Sequence, residues 1–237
     1  MKWRMTIPRW GLLALLMAVA LVAMFPMRIA MEWIGLDRAG FTAREVRGSI
    51  WNATLSEAQF GGAALGDVDA SLSPLPLLSG RARINLSSGT GLKGRVTIAR
   101  ASVEADIDQA LLEGFPALGA VNIGALRLSG VAVRFVDGQC VEAHGNVGAV
   151  LTLPWAQGAI PPLDARIRCD AGTLLLPLAS AGGAERLEMR LHGDRRVEAR
   201  AVIARVPTTL MPFLRMAGFS VAGDQVAIER TWMLGDR

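Results

Sequence analysis

Glu185-Arg-Leu-Glu-Met-Arg-Leu-His192, then Gly193-Asp194, then Arg196-Val-Glu-Ala-Arg-Ala-Val-Ile203: this stretch decides the fold. Leu187, Met189 and Leu191 alternate with Arg186, Glu188, Arg190 and His192. Beyond the turn, Val197, Ala199, Ala201 and Ile203 alternate with Arg196, Glu198 and Arg200. Side chains on a strand point to opposite faces in turn, so a period of two predicts a hairpin with one buried and one wet face.

The same grammar extends outward. Ala82, Ile84 and Leu86 alternate with Arg81, Arg83 and Asn85, and Val103, Ala105 and Ile107 with Ser102, Glu104, Asp106 and Asp108. Val131, Val133 and Phe135 run into Asp137-Gly138, a hairpin dipeptide. Leu163, Ala165, Ile167 and Cys169 alternate with Asp164, Arg166, Arg168 and Asp170. The 26 glycines tend to fall between such runs. Two short segments have helical character: Gln109 to Leu118, interrupted by Pro116, and Pro207 to Ala217, with Gly218 just past its end. The expectation is a mainly β domain of a dozen or more antiparallel strands with one or two short helices. A curved or groove-like sheet and a closed sandwich both satisfy the pattern.

The chain has 237 residues, 51% hydrophobic and 19% charged, with a net charge of +4. Its mean hydropathy is +0.35 and its pI about 10.0. Disorder is excluded by this apolar content. The positive charge is local: Lys2, Arg4, Arg9 and Arg28 are the only charges in the first 28 residues, and removing them leaves as many basic as acidic residues. No basic patch is expected downstream, aromatic residues are sparse and Tyr is absent, which argues against nucleic acid as a partner.

Trp10 to Met27 is an uncharged apolar run preceded by basic residues, with Pro26 near its far end. Its eighteen residues would span about 27 Å as a helix, close to the roughly 30 Å hydrocarbon core, and the basic flank predicts a cytoplasmic N-terminus. Ala18-Val19-Ala20 has the small-x-small form of a signal-peptide cleavage site, but a cut there would leave Leu21 to Phe25 as an apolar tail. The expected organisation is therefore a cytoplasmic 1–9, a transmembrane 10–27 and an external β-rich domain over 28–237, in the inner membrane with its bulk in the periplasm.

Cys140 and Cys169 are the only cysteines. In an oxidising compartment an even pair reads as a disulfide, with two buried thiols as the alternative. Their parity conflicts, since Cys169 lies on its strand's apolar side and Cys140 shares parity with Glu142 and His144; a bulge or turn next to Cys140 would resolve it.

No catalytic constellation emerges. His144 and His192 stand alone, outside any metal-ligand spacing, and no cofactor or metal is implied. Gly89 to Gly94 matches G-x-G-x-x-G, but Arg95-Val-Thr-Ile-Ala-Arg100 follows with strand alternation, where a nucleotide fold needs a helix. Asp106 and Asp108 read as a solvated polar face. An enzyme is not expected.

The basic N-terminus and apolar run, Gly48-Ser-Ile-Trp51 followed by Leu55, the stretch Leu72-Ser-Pro-Leu-Pro-Leu-Leu-Ser-Gly80 and the cysteine pair together resemble protein N of the type II secretion system (GspN). Leu72 departs from the Trp commoner at that family position. The resemblance implies an accessory or assembly subunit of a Gram-negative secretion apparatus, with other secretion subunits as partners. Its β architecture also resembles the AsmA/TamB group, which brings lipid binding or transfer as the alternative function and lipid as a possible partner. Gly48, Ile50 and Trp51 are then the family motif, with Trp51 expected to pack the first hairpin against the sheet.

Overall fold

In the computed structural model the described residues are 9–24, 26, 27, 29, 40–114, 121–152, 160–216 and 218–234. The first described element is α1 (Arg9–Ala23), whose Trp10, Leu13 and Met17 are more than 60% exposed. At about 1.5 Å per residue its 15 residues reach about 22 Å. Among the described residues no helix is long and apolar enough to cross a membrane.

Strands follow almost without interruption: β1 (Phe41–Thr42), β2 (Glu45–Ser49), β3 (Asn52–Phe60), β4 (Ala63–Ser73), β5 (Ala82–Ser88), β6 (Lys93–Ile98), β7 (Ser102–Glu113), β8 (Asn122–Val136) and β9 (Gln139–Thr152). The second half holds β10 (Leu163–Arg166), β11 (Arg168–Asp170), β12 (Thr173–Ser180), β13 (Glu185–Leu191), β14 (Arg196–Ile203), β15 (Ser220–Ala222) and β16 (Gln225–Met233). Two short helices interrupt them, α2 (Pro74–Leu77) and α3 (Met211–Met216). All sixteen strands belong to one antiparallel sheet, ordered β1-β3-β4-β5-β6-β7-β8-β9-β10-β12-β13-β14-β16-β15, with β2 beside β3 and β11 beside β12. Nearly every strand pairs with its neighbour in sequence, because short turns between alternating runs leave no room for crossovers.

The Gln109 to Leu118 expectation fails in its first half. Gln109–Glu113 completes β7 in register with β8, and Ala110 and Leu112 bury while Leu111 does not. Neighbouring-strand pairing overrides a weak helical pattern; 115–120 lie outside the described residues. The second helical segment forms α3, preceded by a turn of 3-10 helix at Thr208–Leu210, while Ala217 lies outside the described residues.

A crease runs across the first ten strands. Glu57 in β3 takes φ 50° beside the register shift at Leu55/Ala58, and its partner strand carries Gly66 at φ 74°. The tip of the β5–β6 hairpin wedges in next, with Thr90 Oγ1 donating to Leu65 O at 3.4 Å, and beyond it β4 pairs directly with β7 through Ala64 and Glu113. Register shifts continue at Lys93/Gly94 and at Ser129/Ala132. Gly145 has φ 125°, and a Cβ there would stand 2.6 Å from Val131 Cα, so only glycine fits. Ile167 N then donates to Gly145 O at 3.1 Å, at the break between β10 and β11. Each extra residue bends the sheet and returns the apolar side chains to the same face. Thus Leu126 and Leu128 on one side of the crease, and Val131, Val133 and Phe135 on the other, all reach the core.

The core is that single face folded on itself. Leu55, Leu163, Leu178 and Leu187 are at most 1% exposed. Full burial of each such side chain contributes about 1.5–3 kcal/mol. The end of the last strand reaches the β3–β4 turn, where a Cβ on Gly61 would stand 2.8 Å from Leu234 Cδ2. Met211 and Leu214 of α3 and the following Phe219 also enter the core. The apolar face is thus covered in part by its own curvature and in part by this helix.

Candidate functional site

Gly48 lies near the end of β2, and Ile50 and Trp51 form the β2–β3 connection. Gly48 has φ 101°, and a Cβ there would collide with the Asn52 carbonyl and stand 3.1 Å from Ala53 Cα. The close approach lets the two strands cross tightly. Ile50 packs on the core, and its carbonyl accepts the Leu72 N–H at 3.1 Å, tying the hairpin to the end of β4; Trp51 is half-buried. The motif residues therefore sit at one corner of the sheet, where the N-terminal segment also arrives. Pro26 bridges Ser49 on the outer side of β2, and Met27 is 8% exposed within the core. α1 stops at Ala23, short of the end of the expected 10–27 span, and Met27 packs into the core of the β domain.

Cys140 and Cys169 form a disulfide, with their Cα atoms 5.5 Å apart. Arg134 pairs with Glu142 and Phe135 with Cys140, so Val141 is the extra residue of a bulge. That bulge turns Cys140 inward to 6% exposure and resolves the parity conflict. The bond also spans a gap in the ladder. β10 pairs with both β9 and β12, whereas β11 pairs with β12 alone. Where the backbone ladder to β9 stops, the disulfide and the Cys140 N–H to Gly172 O bond, 2.8 Å, hold the strands together.

The remaining chemistry-bearing residues stay apart. His144 is exposed, its Nδ1 3.9 Å from Glu142 Oε1, and His192 Nε2 lies 3.2 Å from Glu198 Oε1 on another strand pair. Asp106 and Asp108 are both exposed, with Asp108 at the register skip of the crease. Gly89 to Gly94 is the β5–β6 hairpin tip, followed by strand β6. No group of His, Cys, Asp and Glu that could hold a metal occurs among the described residues. A depression of about 530 Å³ on the sheet is lined by Arg127, Asn146, Asp164 and Arg166. Val147, Gly148 and Ala165 also line it, so its wall mixes charged and apolar side chains.

One feature was concealed in the sequence by its own arithmetic. Residues 70–103 carry five basic side chains and no acidic one, inside a domain whose charges balance. Arg95 faces Asp106 across the ladder. Arg81, Arg83 and Arg100 stand at the adjoining ends of β5 and β6, where Ala82 pairs with Ile98, and make no ion pair among the described residues. A local basic corner exists where none was expected.

Among the described residues the sixteen strands make one antiparallel sheet, with the Gly48–Trp51 motif at one corner and the disulfide joining two of its strands. The chain belongs to the family of type II secretion system protein N, whose model matches residues 39–229. That makes it a type II secretion component of a family of accessory subunits rather than a known family of enzymes, and implies interaction with other secretion components. Comparison with curated proteins and with solved structures finds no match.

Proposed function

We propose that the chain is an assembly subunit of the secretion apparatus, held in the inner membrane by its N-terminal apolar segment, with the β domain in the periplasm, and that it supports export of folded proteins across the outer membrane. The family match over most of the β domain carries this reading. Two observations support the topology. The disulfide suits an oxidising compartment, and α1 presents Trp10, Leu12, Leu13, Leu16 and Met17 uncovered by the domain, as a lipid-embedded helix does.

The docking element is the outer side of β2, to which an extended segment of another secretion subunit adds as a further strand. Among the described residues that side is met only by the Pro26–Ser49 bridge. Arg47 and Glu45, paired at 2.8 Å, keep this edge charged and disfavour self-association. The lipid-carrier alternative lacks comparable support, since Met211, Leu214 and Phe219 occupy part of the apolar face it needs.

A photocrosslinker at Arg47, in membranes of cells assembling the apparatus, is expected to yield an adduct whose mass-spectrometric identity is a type II secretion subunit. Adducts with lipid-trafficking proteins alone, or with further copies of this chain alone, overturn the reading. For the topology, the uncleaved N-terminus should remain in the membrane pellet after alkaline extraction; a mature N-terminus at Leu21 would refute it.

A further inference from the structure

We infer that the corner formed by α2 and its following turn is a membrane-surface contact, in which Leu75 and Leu78 enter the lipid interface and Arg81, Arg83 and Arg100 meet anionic headgroups. This rests on the membrane anchoring proposed above. Leu75 is 78% and Leu78 88% exposed, the two most exposed leucines among the described residues. Loose chain does not explain them. The turn is closed by its own backbone bonds, Leu78 N–H to Leu75 O at 3.2 Å, Gly80 N–H to Leu77 O at 2.9 Å and Arg81 N–H to Pro76 O at 3.0 Å. A turn satisfied in this way holds its leucines outward as a fixed wedge.

The position of the wedge identifies its partner. Pro26 bridges Ser49, Ile50 accepts from Leu72, and α2 begins at Pro74. The end of α1 at Ala23 is three residues from Pro26, a reach of about 10 Å. With Met27 locked in the core, no slack separates helix from domain, so this corner is the part of the sheet held against the bilayer. Exposed leucines beside unpaired arginines have the composition of an interfacial contact, apolar groups below the headgroups and guanidinium groups among them. A soluble protein partner would find the same leucines, but nothing would then require them to flank the exit of the helix.

The test uses the full chain in vesicles of phosphatidylethanolamine and phosphatidylglycerol. Because the two native cysteines are joined, a nitrobenzoxadiazole probe can be placed singly through Leu78→Cys or Met17→Cys. Doxyl lipids labelled near the headgroup should quench the position-78 probe about twofold or more, and those labelled near the chain end should quench it less. The position-17 probe should be quenched by the deep label. Adding Arg81→Glu and Arg100→Glu should remove most of the position-78 quenching where phosphatidylglycerol is present. Quenching at 17 but not at 78 overturns this inference and leaves the anchor standing. Quenching at 78 alone upholds the contact and overturns the spanning helix; quenching at neither overturns both. A position-78 probe shielded from water but unquenched by lipid marks a protein contact and also overturns the inference.

Discussion

The strands from β12 to β16 and those from β3 to β9 belong to one sheet but obey different rules. In the later group, register runs unbroken: Leu174 to Ala179 against β13, all of β13 against β14, and all of β14 against β16. In the earlier group, shifts interrupt the β3–β4 and β6–β7 pairs and occur three times in β8–β9. Unbroken pairing makes a regular limb. The interrupted pairs bend the sheet so that its apolar face meets itself. Curvature therefore comes at the cost of local ladder bonds, and what replaces those bonds is testable.

The largest effect is expected for Leu187→Ala in the regular limb. Leu187 is 0% exposed on a strand paired on both sides, and we expect a loss of about 3–5 kcal/mol in urea unfolding. Leu55→Ala, at 1% exposure next to the β3 bulge, should cost about 2–3 kcal/mol, because a bulged strand relaxes more readily into the void. Equal losses would break the distinction between the limbs.

Replacing both cysteines by Ser comes next, at about 3–4 kcal/mol for a separation of 29 residues. The loss should be unequal in space. Amide exchange should accelerate at Arg168–Asp170, whose ladder to β9 is absent, and change little across β13. Uniform acceleration would mean that the bond only constrains the unfolded chain.

Gly145→Ala should destabilise by about 2–3 kcal/mol, from its positive φ and its contact with Val131. The same change at Gly182, in the β12–β13 turn with nothing within 4 Å of a Cβ, should stay within about 0.5 kcal/mol. A ratio near one would remove the crease as a conformational constraint.

The two limbs also differ in how far their sequences could be read. Glu185 to Ile203 alternates throughout, and the alternation is the structure, since no bulge intervenes. Cys140 seemed to face the wrong way because Val141 adds a residue that periodicity counts as a step. Asp108 hid the change of phase that sends Ala110 and Leu112 inward, so the end of β7 resembled a helix. Bulges depend on which residues the neighbouring strand presents, and that information is not local in sequence. The corner at α2 was obscured differently. Its leucines entered only as part of the Leu72–Gly80 stretch, and its arginines vanished into a balanced total, because only folding brings Pro26, Ser49 and Pro74 to one place.

The smallest effect tests whether the regular limb relies on side-chain pairing at all. Arg190 on β13 donates to Glu188 Oε1 at 2.9 Å and to Asp170 Oδ2 on β11 at 3.0 Å. Its guanidinium pKa is raised, first by the hydrogen bond to Glu188, so its charge persists at any pH the fold survives. The three side chains are 33–46% exposed, where water screens the attraction and ordering a long side chain offsets part of it. Arg190→Gln keeps most of the stem and removes the charge, and should cost no more than about 1 kcal/mol. A double-mutant cycle with Asp170→Asn should give a coupling of about 0.2–1 kcal/mol that shrinks as salt is added. A coupling well above that range would show that a surface bridge holds β11, and the regular limb would then depend on a local clamp as the creased limb does.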